Sequence, residues 1–342
     1  MRYLHLTGSA VDPLLDDVSR LYARGCLDAV GAATDEGEHV VAHVSPGGSW
    51  RFPDCLDDGC LEAAPALSLA EAVTHLAALH VDVALPQMFC RPGMTTYRGL
   101  LDLLEVPYVG NRPEVMALGA DKPRASAVVA AAGVAVPDSQ VVRPGDPLLL
   151  ALPVVVKPAD ADNSLGVTLV RDAAAYDDAV RSAAEHSERV LVETYVELGR
   201  EVRCGVVDLG DGLVCLPLEE YAVDTATKPV RDHADKLARD DEGGLGLVAK
   251  DAAHAWIVDP SDPVTTPVQA AALLAYEALG CRHHGLFDFR VDPAGTPYFL
   301  EASLYCSFAP TSVVVVMAEA AGIPLAELLR ASVARATAQE AL

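Results

Sequence analysis

Apolar residues recur along the chain with two periods, and the switches between them mark its parts. Tyr3 to Leu6 is a short apolar run that predicts a strand, closed by the polar turn Thr7-Gly8-Ser9. From Asp16 to Val30 the period becomes helical, with Val18, Tyr22, Cys26 and Ala29 in line and Leu21 beside them. Val40 to Val44 predicts a second strand, and Leu67 to Leu79 an Ala-rich helix with Ser68 as its N-cap. Val81 to Leu85 predicts a third strand, ending at Pro86. Strand and helix alternating in this way predict a small α/β unit with a parallel sheet, whose ligands sit beyond the carboxyl ends of the strands. That rim would hold Thr7-Gly8-Ser9 and "PQMFCRPGMTTYRG" (86 to 99) together.

Further along, "LLDLLEVPYVGN" predicts a helix end and a short strand up to Gly110-Asn111. A helix then opens near Asp121-Lys122-Pro123 and stops at Gly133, with Pro137 beyond. "PVVVKPADADNSLGVTLV" (153 to 170) reads as strand, small polar hairpin, strand. Residues 172 to 187 predict a helix and Val190 to Glu193 a strand. Beyond Gly199 the strands read as antiparallel, the last pair joined by a hairpin tip at Pro293-Ala294-Gly295-Thr296. Residues 221 to 255 are polar and irregular, long enough to predict a lid or binding loop. Ser312 to Ala320 predicts a helix ahead of Gly322, and no internal repeat is visible. The boundaries suggest an N-terminal α/β unit (1 to 112), a central part (113 to 190) and a C-terminal part (191 to 342), α/β overall and α+β towards the end.

Composition narrows the functional classes. The 342 residues are 51% hydrophobic and 22% charged, which suits a globular protein rather than a disordered one. With 49 acidic against 25 basic residues, the net charge of -24 excludes general affinity for nucleic acid or an anionic membrane surface, but not a local basic site for a small anion. No segment has the length of a membrane span or the make-up of a signal peptide, so the expectation is a cytoplasmic protein. Eight cysteines fall well below disulfide-scaffold density. Cys26, Cys204, Cys215 and Cys281 read as free core thiols, and Cys55 with Cys60 does not read as a zinc site.

Chemistry enters with the charged residues that interrupt apolar runs. Lys157 ends a strand and Lys122 begins a helix. The polar hairpin from Asp160 to Ser164 can fold over a ligand. Glu193 closes a strand, Glu201 opens the next, and Asp288 and Glu301 lie on opposite arms of one hairpin. Two facing carboxylates repel unless a cation lies between them, and all-oxygen ligation suits Mg²⁺. Lysines, a flexible hairpin and paired carboxylates together meet the needs of a nucleoside triphosphate, although no Walker sequence is present. Taken singly, each has a plainer reading. A lone strand-end lysine is most simply solvated, with its stem on apolar surface. His283-His284, lacking a paired nucleophile, reads as structural or substrate-lining, and Trp50 and Trp256 as packing residues.

Six ordered blocks carry a resemblance: residues 100 to 111, 117 to 137, 153 to 170, 190 to 207, 286 to 302 and 308 to 329. Over nearly its full length the chain resembles an ATP-grasp ligase of the D-alanine–D-alanine ligase type. The resemblance implies ATP and Mg²⁺ as cofactors, with Lys122, Lys157, Asn163 and Ser164 at the phosphates. It implies Glu193, Tyr195 and Val196 at the adenine, Glu201 at the ribose, and Asp288, Glu301 and Ser303 at the metal. Ser303 stands where the family has asparagine, and Leu286 where it has an arginine, a charge Arg290 could supply. Lys236, in the stretch "HADKLAR", resembles the lid lysine, beside Lys228, Arg231 and Lys250. Arg290, Lys236 and Ser164 are the implied catalytic groups.

The acceptor end departs from the family. "PQMFCRPGMTTYRG" replaces its glycine-rich acidic loop, and "EASLYCSFAPTS" (301 to 312) stands at the second amino-acid site. Gln87, Arg91, Arg98, Tyr305, Ser307 and Ser312 become the expected substrate contacts, with Arg91 or Arg98 pairing a carboxylate. These segments look most like ligases that join an amino acid such as serine, threonine or glycine to mycosporine-glycine. The alternatives are a dipeptide ligase of secondary metabolism and a catalytically weak nucleotide-binding protein. The family precedent also implies a homodimer.

Overall fold

The computed structural model describes residues 1–33, 37–161, 165–224, 230, 237–239, 245–247 and 254–338. The expected hairpin residues Asn163 and Ser164 and the lid residues Lys228, Arg231, Lys236 and Lys250 lie outside them. Among the described residues no helix is long and apolar enough to cross a membrane.

The first sheet runs Trp50–Arg51, Glu38–Val44, Arg2–Gly8, Val83–Pro86, with the last three strands parallel. Its carboxyl rim carries Gly8, Ser9 and Gln87, where Ser19 closes the corner. Ser19 Oγ accepts from Gly8 N at 2.7 Å and donates to the Gln87 carbonyl at 2.7 Å. The helix Pro13–Ala33 therefore turns its buried stripe through Ser19, Ala23, Cys26 and Val30. Tyr22, expected in that stripe, is left half-buried at its edge. The helix Leu69–Ala78 is opened by a full capping box between Ser68 and Glu71.

Cys55 and Cys60, read beforehand only as no zinc site, are bonded to each other across the turn into the helix Asp58–Ala63.

The central sheet is antiparallel in the order Ser139–Val142, Val190–Thr194, Val154–Pro158, Thr168–Val170. One face is covered by the helix Tyr176–Ala184, and valines from all four strands join Tyr176 and Ala183 in a core of their own. The C-terminal sheet is also antiparallel: Ala255–Ile257, Glu219–Tyr221, Arg200–Asp208, His284–Val291, Pro297–Ser303, with Leu213–Cys215 also on Arg200–Asp208. Phe287, Phe289 and Phe299 fill its core together with Ala125 and Val129, so the helix Lys122–Ala131 packs on this sheet.

The stretch expected to be irregular contains a short antiparallel pair, Leu237–Arg239 with Leu245–Leu247, and the second strand approaches the helix Pro13–Ala33. Among the longer helices, Thr265–Leu279 and Leu325–Ala338 escape the pattern reading. The first is Ala and Leu on most faces, which blurs the contrast that periodicity depends on.

Candidate active site

A cleft of about 800 Å³, its open mouth included, lies between the central and C-terminal sheets. Its roof comes from Val155, Lys157, Leu165 and Val167, and its floor from Glu201, Asp288, Arg290, Leu300 and Glu301. Alternation in Val154–Pro158 sends Val154 and Val156 into the core and leaves Val155 and Lys157 facing the cleft.

Lys157 is buried, yet its Nζ lies 2.7 Å from Glu193 Oε2 on the paired strand. Lys122 stands at the first position of its helix, capped by Asp121, which also accepts from Arg189 at 2.7 Å. Its Nζ donates to the Ala161 carbonyl at 2.5 Å and lies 3.5 Å from Glu301 Oε2. Each ammonium thus meets a carboxylate, as burial demands. A polyphosphate can compete for both.

Deeper in, Arg290 Nη2 donates to Glu201 Oε2 at 2.6 Å, and Arg290 Nη1 to the Val196 carbonyl at 3.5 Å. Arg290 lies over the Tyr195 ring at 5.3 Å, and Arg171 at 5.6 Å. Tyr195, Val196 and Glu201 are therefore grouped around Arg290, while Glu193 lines the same cleft beside Lys157.

Arg290 and Asp288 line the cleft together, but Arg290 is bonded to Glu201 and not to Asp288. The guanidinium on Asp288 is that of Arg203, whose Nε and Nη2 both donate to the Asp288 carboxylate, the latter at 3.0 Å. Leu286 is buried with Val207, Leu216 and Val314, so its position faces a core instead of the cleft.

Asp288 and Glu301 are cross-strand partners, and the next step shifts register so that Phe289 faces Phe299. The extra residue is Leu300, which lines the cleft. A bulge here turns Glu301 towards Lys122. The carboxylate pair fits Mg²⁺ as two hard oxygen ligands. Among the described residues no group of three His, Cys, Asp or Glu side chains could hold a metal, so nucleotide oxygens and water would complete the shell. Ser303, opposite Leu286, lies two residues beyond Glu301 on the same strand.

Towards the expected acceptor side, a narrow recess of about 330 Å³, its open mouth included, shares Lys122 and Glu301 with the cleft and is otherwise lined by Met94, Met116, Leu304 and Tyr305 among others. Phe89 bridges Tyr305 at 5.2 Å and Tyr22 at 5.4 Å between ring centroids. Burial, only partly opposed by nearby Arg203, pushes the Tyr22 phenol upward. Gln87 and Ser307 are buried behind this wall, the Ser307 hydroxyl donating to Gln87 Oε1 at 3.0 Å. Ser312 stands buried just before the helix Val313–Ala320 without a side-chain bond to its first turn, and Arg91 is exposed.

Arg98 is not placed to pair a substrate. It is 2% exposed, and its Nη1 donates to the Val109 and Asn111 carbonyls at 3.4 and 3.1 Å. Burial lowers its pKa to about 10. The same cluster occupies both histidines: His283 Nδ1 accepts from Gly110 N at 2.8 Å, and Asn111 Nδ2 donates to the His284 and Leu304 carbonyls at 2.9 and 2.8 Å.

Arg203, Tyr22, Phe89 and Leu300 are site residues that the sequence reading did not single out. Arg203 left a signal, a charge inside "EVRCGVV" two residues from Glu201 and so on its face of the strand.

A profile described as "D-ala D-ala ligase C-terminus" matches residues 147–333. The D-alanine–D-alanine ligase of Nocardia farcinica is 34% identical over 270 residues, 76% of this chain and 71% of that one. That of Corynebacterium diphtheriae is 35% identical over 260 residues, 73% and 67% of the two chains. Among solved structures, the D-Ala:D-Ser ligase of Enterococcus faecalis superposes with a TM-score of 0.78 at 21% identity, covering 97% of this chain and 98% of that one. The D-alanine–D-alanine ligase of Bacillus anthracis complexed with ATP gives 0.71 at 19%, covering 99% and 98%.

Proposed function

The chain belongs to the D-alanine–D-alanine ligase family, and we propose that within it this enzyme uses ATP to join an amino acid's amine to mycosporine-glycine. As a member of that family it is an ATP-dependent, ADP-forming C–N ligase with Mg²⁺ as its metal. The observation that supports the finer reading is the apolar wall of Met94, Met116, Leu304 and Tyr305 adjoining Lys122 and Glu301. A planar cyclohexenone suits such walls better than the short side chain of alanine does.

In this reading the acceptor's carbonyl oxygen, enolate-like through the vinylogous system, attacks the γ-phosphorus. The bond from that phosphorus to the β–γ bridging oxygen breaks, and the electron pair leaves with ADP. The amine then attacks the activated ring carbon, phosphate departs, and the nitrogen loses a proton to give the conjugated imine.

Lys157 and Lys122 hold the phosphates by exchanging their carboxylate partners for phosphate oxygens. Glu201 receives the ribose hydroxyls, and the Tyr195–Val196 backbone meets the base. Asp288 and Glu301 would hold Mg²⁺, which supplies charge neutralisation at the phosphate oxygens. The Tyr305 wall excludes water from the phosphorylated acceptor.

The relatives' names favour a second reading, in which an amino-acid carboxylate takes the phosphoryl group and a dipeptide forms. Phosphate release with mycosporine-glycine plus serine, threonine or glycine, set against pairs of D-amino acids, separates the two. Release only with the D-amino acid pairs overturns the mycosporine-glycine assignment.

A further inference from the structure

We propose that Arg203 is a catalytic residue of this reaction, its Nη1 donating to the phosphoryl group in transit and to the oxygen that receives it. The proposal rests on the reading that the chain transfers a phosphoryl group from ATP to an acceptor oxygen.

The strand Arg200–Asp208 alternates strictly, with Val202, Cys204 and Val206 in the core and Glu201 and Arg203 on the cleft face. Arg203 stands directly opposite Asp288 in the ladder, and its side chain is 12% exposed. A desolvated guanidinium needs several partners. Nε and Nη2 find them in the Asp288 carboxylate, and the Tyr221 ring, 5.2 Å from Cζ, supports the guanidinium plane. Nη1 makes no hydrogen bond among the described residues.

Two anchored nitrogens and a supported plane fix where the third points, a donor whose position costs no reorganisation when charge develops. Asp288 and Glu301 line the cleft and Glu301 also lines the second recess, so the guanidinium bonded to Asp288 lies beside the carboxylate pair where the two adjoin. That junction is where an acceptor oxygen would meet the γ-phosphorus. Arg290, two residues along the same strand from Asp288, is committed to Glu201 and Val196.

The plain alternative is that Arg203 only balances the charge of Asp288. The two differ in what the Arg203→Gln variant does with a mimic of the transferring group. ADP binding in Mg²⁺ is measured by calorimetry with and without aluminium fluoride, which assembles a planar phosphoryl mimic beside ADP.

The expected result is similar ADP affinity for wild type and variant without fluoride, tightening by fluoride in the wild type only, and a fall of about 10²-fold in kcat with the KM for ATP unchanged. Equal tightening in both proteins overturns the proposal, as does a wild type that gains nothing from fluoride. A charge-balancing role would instead leave kcat normal at saturating Mg²⁺. If Arg203→Gln does not fold, Arg203→Lys keeps the charge opposite Asp288 without the fork, and the same two measurements decide. The parent reading is judged separately, by whether the wild type releases phosphate in response to any acceptor.

Discussion

In the nucleotide cleft, Lys157, Glu193, Glu201, Arg290 and Asp288 stand on strands and meet opposite charges directly. Beyond Glu301 the wall is built from Met94, Leu304, Tyr305 and Phe89, three of them in loops and Met94 at the end of a one-turn helix, and its polar residues Gln87 and Ser307 are bonded to each other behind it. The first region presents charge held in check by neighbouring charge, ready to be exchanged for phosphate and metal. The second presents shape. A nucleotide is the same in every ligase of this kind, so its site can be fixed on regular elements, whereas the acceptor varies and its site sits on segments that can change without disturbing a sheet.

The sharpest way to break that contrast is Lys157. Turnover should fall by at least about 10²-fold in Lys157→Ala, because a charge on the phosphates is lost from a site that excludes water. The same change leaves the buried Glu193 carboxylate alone, which costs stability by up to about 3–5 kcal/mol. The double variant Lys157→Met/Glu193→Gln removes both charges and should melt near the wild type while remaining inactive. Thermal melts beside ATPase rates test this, and a double variant that turns over normally would remove Lys157 from the phosphate site.

Arg98 sharpens the contrast from the other side. Arg98→Ala should lower stability by about 2–3 kcal/mol, through loss of buried hydrogen bonds to the carbonyls of Val109 and Asn111. Acceptor KM in the surviving folded protein should be unchanged. A raised KM with normal stability in urea denaturation would return Arg98 to the substrate pocket.

The smallest expected effect concerns pH. Burial, with Arg98 and Arg282 nearby, lowers the His284 pKa from its ordinary 6.5 to about 3. The unfolded chain then binds more protons than the folded one between those values, so stability is full above pH 6.5 and declines as pH falls towards 3. Urea midpoints from pH 7 to pH 5 should fall, and His284→Asn should flatten the slope. An unchanged slope would mean that His284 titrates normally.

What could be read beforehand divides along the same line. The strand ends carrying Lys157, Glu193, Asp288 and Glu301 announce themselves, because a charge closing an apolar run is conspicuous in any strand. Arg203 was passed over because its partner lies on another strand, 85 residues away, and pairing across strands is invisible to local period. Arg98 was misassigned for a related reason: an arginine in a helix near a loop reads as exposed until the carbonyls that surround it are known. The bulge at Leu300 has no sequence mark at all, since one extra residue in a strand leaves the alternation legible on both sides of it.

The packing of the helix Lys122–Ala131 against the C-terminal sheet has a consequence for motion. Lys122 rides with Asp288 and Glu301, and Asn111 pins the first sheet to the same body through the His284 and Leu304 carbonyls. Lys157 rides on the central sheet, whose core is its own. The two ammonium groups therefore stand on different packing units, which meet where Lys122 donates to the Ala161 carbonyl and Asp121 accepts from Arg189. A polyphosphate held by both lysines would add a further bridge across that seam, so nucleotide binding is expected to stiffen it.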